Sequence, residues 1–140
     1  MSVFERRAAV AASPEKVWAL MSALPRWPEW TPSVVSVGVF APPPYGVGTL
    51  ALVRQPRLPP ALWRVTEWVP GRGFAWKSAG LGFSALGEHW IEPTGSGCEV
   101  LLRLTFAGLL GPLVAKLAAR TTVRYMGLEA EGLKKAAESR

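Results

Sequence analysis

The sequence predicts an α+β fold: a curved antiparallel sheet of about seven strands wrapped around one long C-terminal helix, with two short helices after the first strand. Three observations carry this. Segments of strand character, separated by turn signals, succeed one another from Ser33 to Phe106. An apolar arc of helical period then runs from Pro112 to about Ser139. A helix start at Ser13-Pro14 and a stop at Pro25 follow directly on the first strand-like stretch.

The elements follow in order. Ser2 to Ala11 alternates in part and precedes a cap, so it reads as a strand. Ser13-Pro14-Glu15-Lys16 is an N-cap with proline at the first helical position. Val17, Leu20, Met21 and Leu24 recur at helical spacing until Pro25, which lacks the N–H donor and clashes with the preceding turn. Pro25 to Trp30 forms a second, short helix in which Trp27 and Trp30, three apart, pack on something apolar. The whole stretch from Val10 to Pro32 has the chemistry of a lid or clamp.

Ser33 to Phe40 is β-branched and strand-like. Ala41 to Gly46 is a proline loop, Val47 to Arg54 a strand, and Gln55 to Pro60 a second proline loop with an apolar Leu58. In Leu62 to Val69, Trp63 and Val65 share one face while Arg64 and Thr66 share the other. Pro70 to Gly73 is a turn and Phe74 to Ser78 a short strand. Leu81 to Ile91 is a longer strand whose Gly82 and Gly87 predict a bulge or sharp bend. Pro93 to Gly97 is a hairpin turn. In Cys98 to Phe106, Val100, Leu102, Leu104 and Phe106 face one way. On the last helix Leu113, Val114, Leu117, Thr121, Tyr125, Leu128 and Gly132 form the arc expected to face the sheet. Lys116, Arg120, Arg124, Glu131 and Lys134 form a solvated one. The inward arc is small and partly polar, and a bent sheet crossed by such a helix encloses a cavity more naturally than it fills one.

Composition bounds the function. One domain over residues 1–140, 49% hydrophobic, holds enough apolar material for a substantial core. The net charge of +6 is spread along the chain and does not alternate with exposed aromatics, so no nucleic-acid partner is expected. The lone cysteine, Cys98, forms no internal disulfide and fits a reducing cytoplasm. With one histidine, His89, in a different strand, no metal site is expected. No glycine-rich phosphate loop is present, and no cofactor is expected. No stretch reaches the ~18 apolar residues of a spanning helix, and the apolar run Ala8–Ala12 falls short of the ~7–15 of a signal h-region.

Four features resemble the START/birch-pollen-allergen (SRPBCC) superfamily, and within it the polyketide cyclase/dehydratase-like bacterial proteins. They are Ala12-Ser13-Pro14-Glu15-Lys16-Val17-Trp18 followed by Arg26-Trp27-Pro28-Glu29-Trp30-Thr31-Pro32; Val65-Thr66-Glu67 with Pro70 and Phe74-Ala75-Trp76; Glu92 to Val100, with Cys98 where the family commonly has threonine; and the helix end Gly132 to Glu138. The resemblance spans essentially the whole chain and implies a helix-grip fold with a hydrophobic cavity between the concave sheet and the last helix. Carried over, the cavity walls are Trp63, Val65, Phe74, Trp76, Phe83, His89, Ile91, Leu102 and Leu104 from the sheet, and Leu117, Thr121, Tyr125 and Leu128 from the helix. The loops Ala41–Gly46 and Gln55–Pro60 flank the mouth with Trp30. Two registers are open to Leu81–Ile91: one turns His89 inward, and a slip by one turns Glu88 and Trp90 inward.

The first functional expectation is a module that binds a small hydrophobic ligand, whether lipid, polyketide or aromatic. The second is a cyclase or dehydratase-type enzyme, with His89 and Tyr125 as the acid/base pair and Glu67 and Glu88 as further candidates. Against it stands a His89 that makes one hydrogen bond within the sheet and a Tyr125 at the rim. No aspartate exists in the chain, which rules out a Ser-His-Asp arrangement. The third is a protein-interaction module whose groove receives a partner segment. The basic helix arc allows transient contact with an anionic membrane, and the assembly is expected to be monomer or homodimer.

Overall fold

In a computed structural model, which describes residues 2–139, the order is β1 (Ser2–Val10), α1 (Pro14–Ser22), a 3-10 helix (Leu24–Glu29), β2 (Ser36–Val39), β3 (Leu50–Arg54), β4 (Ala61–Val69), β5 (Gly73–Gly80), β6 (Phe83–Thr94), β7 (Gly97–Ala107) and α2 (Gly111–Glu138). The strands form one antiparallel sheet in the order β1-β7-β6-β5-β4-β3-β2. From β2 to β7, neighbours in the sheet are also neighbours in sequence. β1 instead pairs with the last strand, β7, Ser2 opposite Phe106 and Val10 opposite Cys98. Among the described residues no helix is long and apolar enough to cross a membrane. The arrangement is a helix-grip fold.

Local chemistry sets the boundaries. The Ser13 side chain accepts from Lys16 N at 3.2 Å and Pro14 opens α1, as the N-cap pattern requires. The 3-10 helix takes the place of the expected second helix, and its C-cap Trp30 N donates to the Trp27 carbonyl at 3.1 Å. β2 begins later than Ser33, because the hydroxyls of Thr31 and Ser33 bond each other at 2.6 Å in a buried elbow. β3 begins later than Val47, because Gly48 takes a positive φ of 93° in the turn before it. β6 keeps Pro93 in the strand, opposite Cys98. Its pairing with β5 stops at Trp90, so Pro93 has a free side where no N–H is needed.

Two expectations are corrected here. Gly87 produces no bulge, since β6 pairs without interruption. It serves instead as a floor: a Cβ there would meet the Trp76 indole at 3.0 Å. The bulge lies in β4, between Val65 and Glu67, and returns Trp68 to the inner face against Trp18 and Phe74.

The second correction concerns α2. Its buried residues include Ala115, Thr122, Met126, Ala130, Leu133 and Ala137, an arc turned about one residue from the expected one. Leu117 is 79% exposed and Leu128 is half-buried. Small side chains let α2 settle on β1, β7 and, to a lesser extent, β6, while Leu113 and Leu117 stand aside and Leu133 is buried. The basic residues Lys116, Arg120 and Arg124 are exposed, as expected. The helix end is tied to the β1–α1 connection: Ala11 N donates to Glu138 Oε2 at 2.8 Å and Lys134 Nζ to the Ala9 carbonyl at 2.8 Å. The Ala11 bond, and then Lys134, hold the Glu138 carboxyl below its usual range.

Candidate functional site

Because α2 rests on one side of a curved sheet, the β3–β5 side curls away from it and leaves a cavity of about 460 Å³. The floor is the concave face of β4 to β7, where alternation brings Trp63, Trp76, Phe83, Ala85, Leu102, Leu104 and Phe106 inward. The roof is Val114, Ala118, Thr121, Thr122, Tyr125, Met126 and Glu129 of α2. Gln55 and Leu58 to Leu62 form one rim, where Leu58 and Leu62 are exposed. That rim is held in place: Gln55 Nε2 donates to the Ser33 carbonyl at 3.2 Å and the Tyr125 hydroxyl donates to the Pro56 carbonyl.

At the deep end stands an aromatic cluster. Trp27 is 3% exposed and lies 5.3 Å from His89, 5.4 Å from Trp76 and 6.1 Å from Phe74, ring centre to ring centre. Phe74 stacks on His89 at 4.4 Å and 10°. Trp63 and Trp76 stack at 5.5 Å toward the mouth, with the Gly87 backbone beneath them. The register His89 opposite Leu102 turns His89 inward. Trp90 lies on the other face, where its indole N–H donates to Glu88.

His89 is the polar centre of this apolar space. Its side chain is 8% exposed, and Nε2 stands 3.3 Å from Glu129 Oε1, whose side chain is 15% exposed. No hydrogen bond joins the two, which leaves Glu129 Oε1 buried without a partner; His89 Nδ1, the other ring nitrogen, is also buried without one. An unsatisfied buried atom of this kind costs about 1–3 kcal/mol. Arg103 also borders the cavity, but its guanidinium donates to Glu5 at 2.6 Å and lies 3.5 Å from Glu88.

Of the expected wall residues, Trp63, Trp76, Phe83, His89, Leu102, Leu104, Thr121 and Tyr125 border the cavity. Val65, Phe74 and Ile91 share the inner face but belong to the solid core, which the Trp27 side of the molecule covers. Trp30 packs on Trp27 at 5.4 Å, outside the cavity, and Leu117 and Leu128 are turned off it by the rotation of α2. The loop Ala41–Gly46 lies away from the mouth, with Tyr45 against Trp68. His89 and Tyr125 do not pair: each has another neighbour, Glu129 and Pro56. Glu67 is exposed past the bulge. Trp27 and Glu129 join the site without having been expected there.

Cys98 is buried, and its thiol lies 3.5 Å from the Ala12 carbonyl. Burial, with the charge of Glu15 second, pushes the thiol up and disfavours the nucleophilic thiolate. Among the described residues no group of three His, Cys, Asp or Glu side chains could hold a metal ion.

The family model described as polyketide cyclase / dehydrase and lipid transport matches residues 1–138. No curated protein matches the chain. Among solved structures, the di-domain ARO/CYC StfQ from the steffimycin biosynthetic pathway superposes with a TM-score of 0.80 at 17% identity; 97% of this chain is covered and 50% of StfQ, so the chain spans half of that protein. The protein TTHA0849 from Thermus thermophilus gives 0.76 at 22% identity, with 97% of both chains covered. A START superfamily protein from Mycobacterium smegmatis gives 0.74 at 19% identity, again with 97% of both covered. At these identities the likeness is one of fold.

Proposed function

The chain belongs to the polyketide cyclase/dehydrase and lipid transport family, and from that premise we propose that it takes up one small, largely apolar molecule between the sheet and α2. The observation that carries this reading is the cavity itself: about 460 Å³, walled by aromatic and aliphatic side chains, with a polar pair at its deep end. Each ~100 Å² of apolar guest surface removed from water contributes about 2.5 kcal/mol before the cost of association.

The probe N-phenyl-1-naphthylamine, apolar and fluorescent when shielded from water, tests this. It should bind saturably at one molecule per chain. Ala118→Trp, which puts an indole into the roof, should weaken binding at least tenfold with the helical circular dichroism retained. A probe that shows no saturable enhancement with the wild-type protein contradicts the reading.

A second reading is proton transfer on the bound molecule. It is favoured by the contact between His89 and Glu129, since a carboxylate beside an imidazole places two groups able to exchange a proton at the cavity. Under this reading His89→Gln abolishes turnover of an enolisable guest while leaving its binding within about threefold. Turnover that persists in the variant excludes it.

A further inference from the structure

We infer that Glu129 and His89 make the cavity selective for guests that present a neutral hydrogen-bond donor, such as a phenol or enol hydroxyl, and adverse to guests with an anionic head such as a free fatty acid. This rests on the cavity being a ligand site. Three observations carry it.

First, both unpartnered polar atoms can accept. Glu129 Oε1 is an acceptor when the carboxyl is ionised, and His89 Nδ1 is an acceptor in the neutral tautomer that carries its proton on Nε2, the nitrogen 3.3 Å from Glu129. Both sit on side chains that border the cavity. A guest with no donor leaves these atoms unpaired, whereas an O–H that reaches one of them supplies the missing bond.

Second, the charge balance is wrong for an anion. Glu129 with a neutral His89 is net negative, and with a protonated one net zero. Arg103, the cavity's basic residue among the described ones, has its guanidinium engaged by Glu5 and Glu88. A carboxylate brought to the deep end meets a carboxylate in a largely apolar space, and the described residues that line it offer no unpaired Arg or Lys to hold it.

Third, the walls next to the pair are flat rings. Trp27 and Trp76 stand 5.3 Å and 5.8 Å from the imidazole, so a planar ring carrying the donor is accommodated better than a flexible chain.

Calorimetry with three probes of one shape tests this at neutral pH: 2-naphthol, 2-methoxynaphthalene and 2-naphthoate. The wild-type protein should hold 2-naphthol about tenfold more tightly than the methyl ether, a ratio set by one hydrogen bond to a buried acceptor. It should hold 2-naphthoate weakest of the three. In Glu129→Gln, which keeps the shape and removes the charge, the naphthol preference should shrink to within about threefold and 2-naphthoate should gain. Equal affinity for the three, or tightest binding of the naphthoate, overturns the inference while the cavity reading stands, and so does a preference that survives Glu129→Gln. Binding of none overturns both. If the variant fails to fold, the wild-type series decides alone.

Discussion

Gly132→Ala is expected to destabilise the protein by roughly 3 kcal/mol or more, an overpacking cost at the upper end of the usual range. A Cβ at Gly132 would lie 1.9 Å from the Trp30 carbonyl oxygen and 3.0 Å from its carbon. Those are backbone atoms at the end of the 3-10 helix, so no side chain can swing away. Either α2 lifts from this point or the Thr31–Ser33 elbow moves with its buried hydroxyl pair. For a chain of 140 residues this corresponds to a loss of about 10 °C in Tm. Gly127 on the same helix is the control: its added Cβ meets only the tip of Arg6, at 3.3 Å. The gain in helix propensity there, up to about 1 kcal/mol, should leave Gly127→Ala neutral or more stable. Thermal unfolding of the two variants side by side checks both. Equal Tm changes would show that α2 does not press on the Trp30 backbone.

Trp27→Ala should cost about 3–5 kcal/mol, the range for a large aromatic removed from a core. Trp27 fills the space over Phe74, His89 and Trp76, and its indole N–H donates to the Met21 carbonyl at 3.0 Å. That carbonyl is in the last turn of α1, where backbone acceptors have no partner within the helix. The bond therefore joins the end of α1 to the aromatic cluster. Trp27→Phe keeps much of the packing but leaves the carbonyl unpaired, and should cost about 1–2 kcal/mol. Trp30→Phe removes an indole N–H that is buried without a partner, and should fall within about 1 kcal/mol of wild type. Urea unfolding midpoints rank the three. A Trp30→Phe as costly as Trp27→Phe would contradict the hydrogen-bond argument.

These two sites also show where the sequence was legible. The Ser13-Pro14 start, the Pro25 stop, the alternation of Cys98 to Phe106 and the length of the last helix set the elements and their order, because each rests on local chemistry. Choosing between Trp27 and Trp30 was not local: in a 3-10 helix, residues three apart lie one above the other, so spacing cannot say which is covered. The face α2 turns to the sheet is hidden from the sequence for a related reason. Leucines outweigh alanines on any hydrophobicity scale, yet Ala115, Ala130 and Ala137 are among the residues α2 buries, while Leu113 and Leu117 are exposed. A stripe of Ala115, Thr122, Met126, Ala130 and Leu133 at helical spacing was the available signal, and Glu129, a charge set within it, was the residue to question. The bulge between Val65 and Glu67 left no mark that a period-two count could detect.

We propose that the space beneath α2 is an open apolar chamber that admits a guest to His89 and Glu129. A crystal structure of the protein grown with 2-naphthol tests it most directly. One ring is expected between Trp76 and Met126, its oxygen within hydrogen-bond distance of Glu129 or of His89 Nδ1. A chamber filled by the protein's own side chains, or naphthol bound only outside it, would contradict the claim.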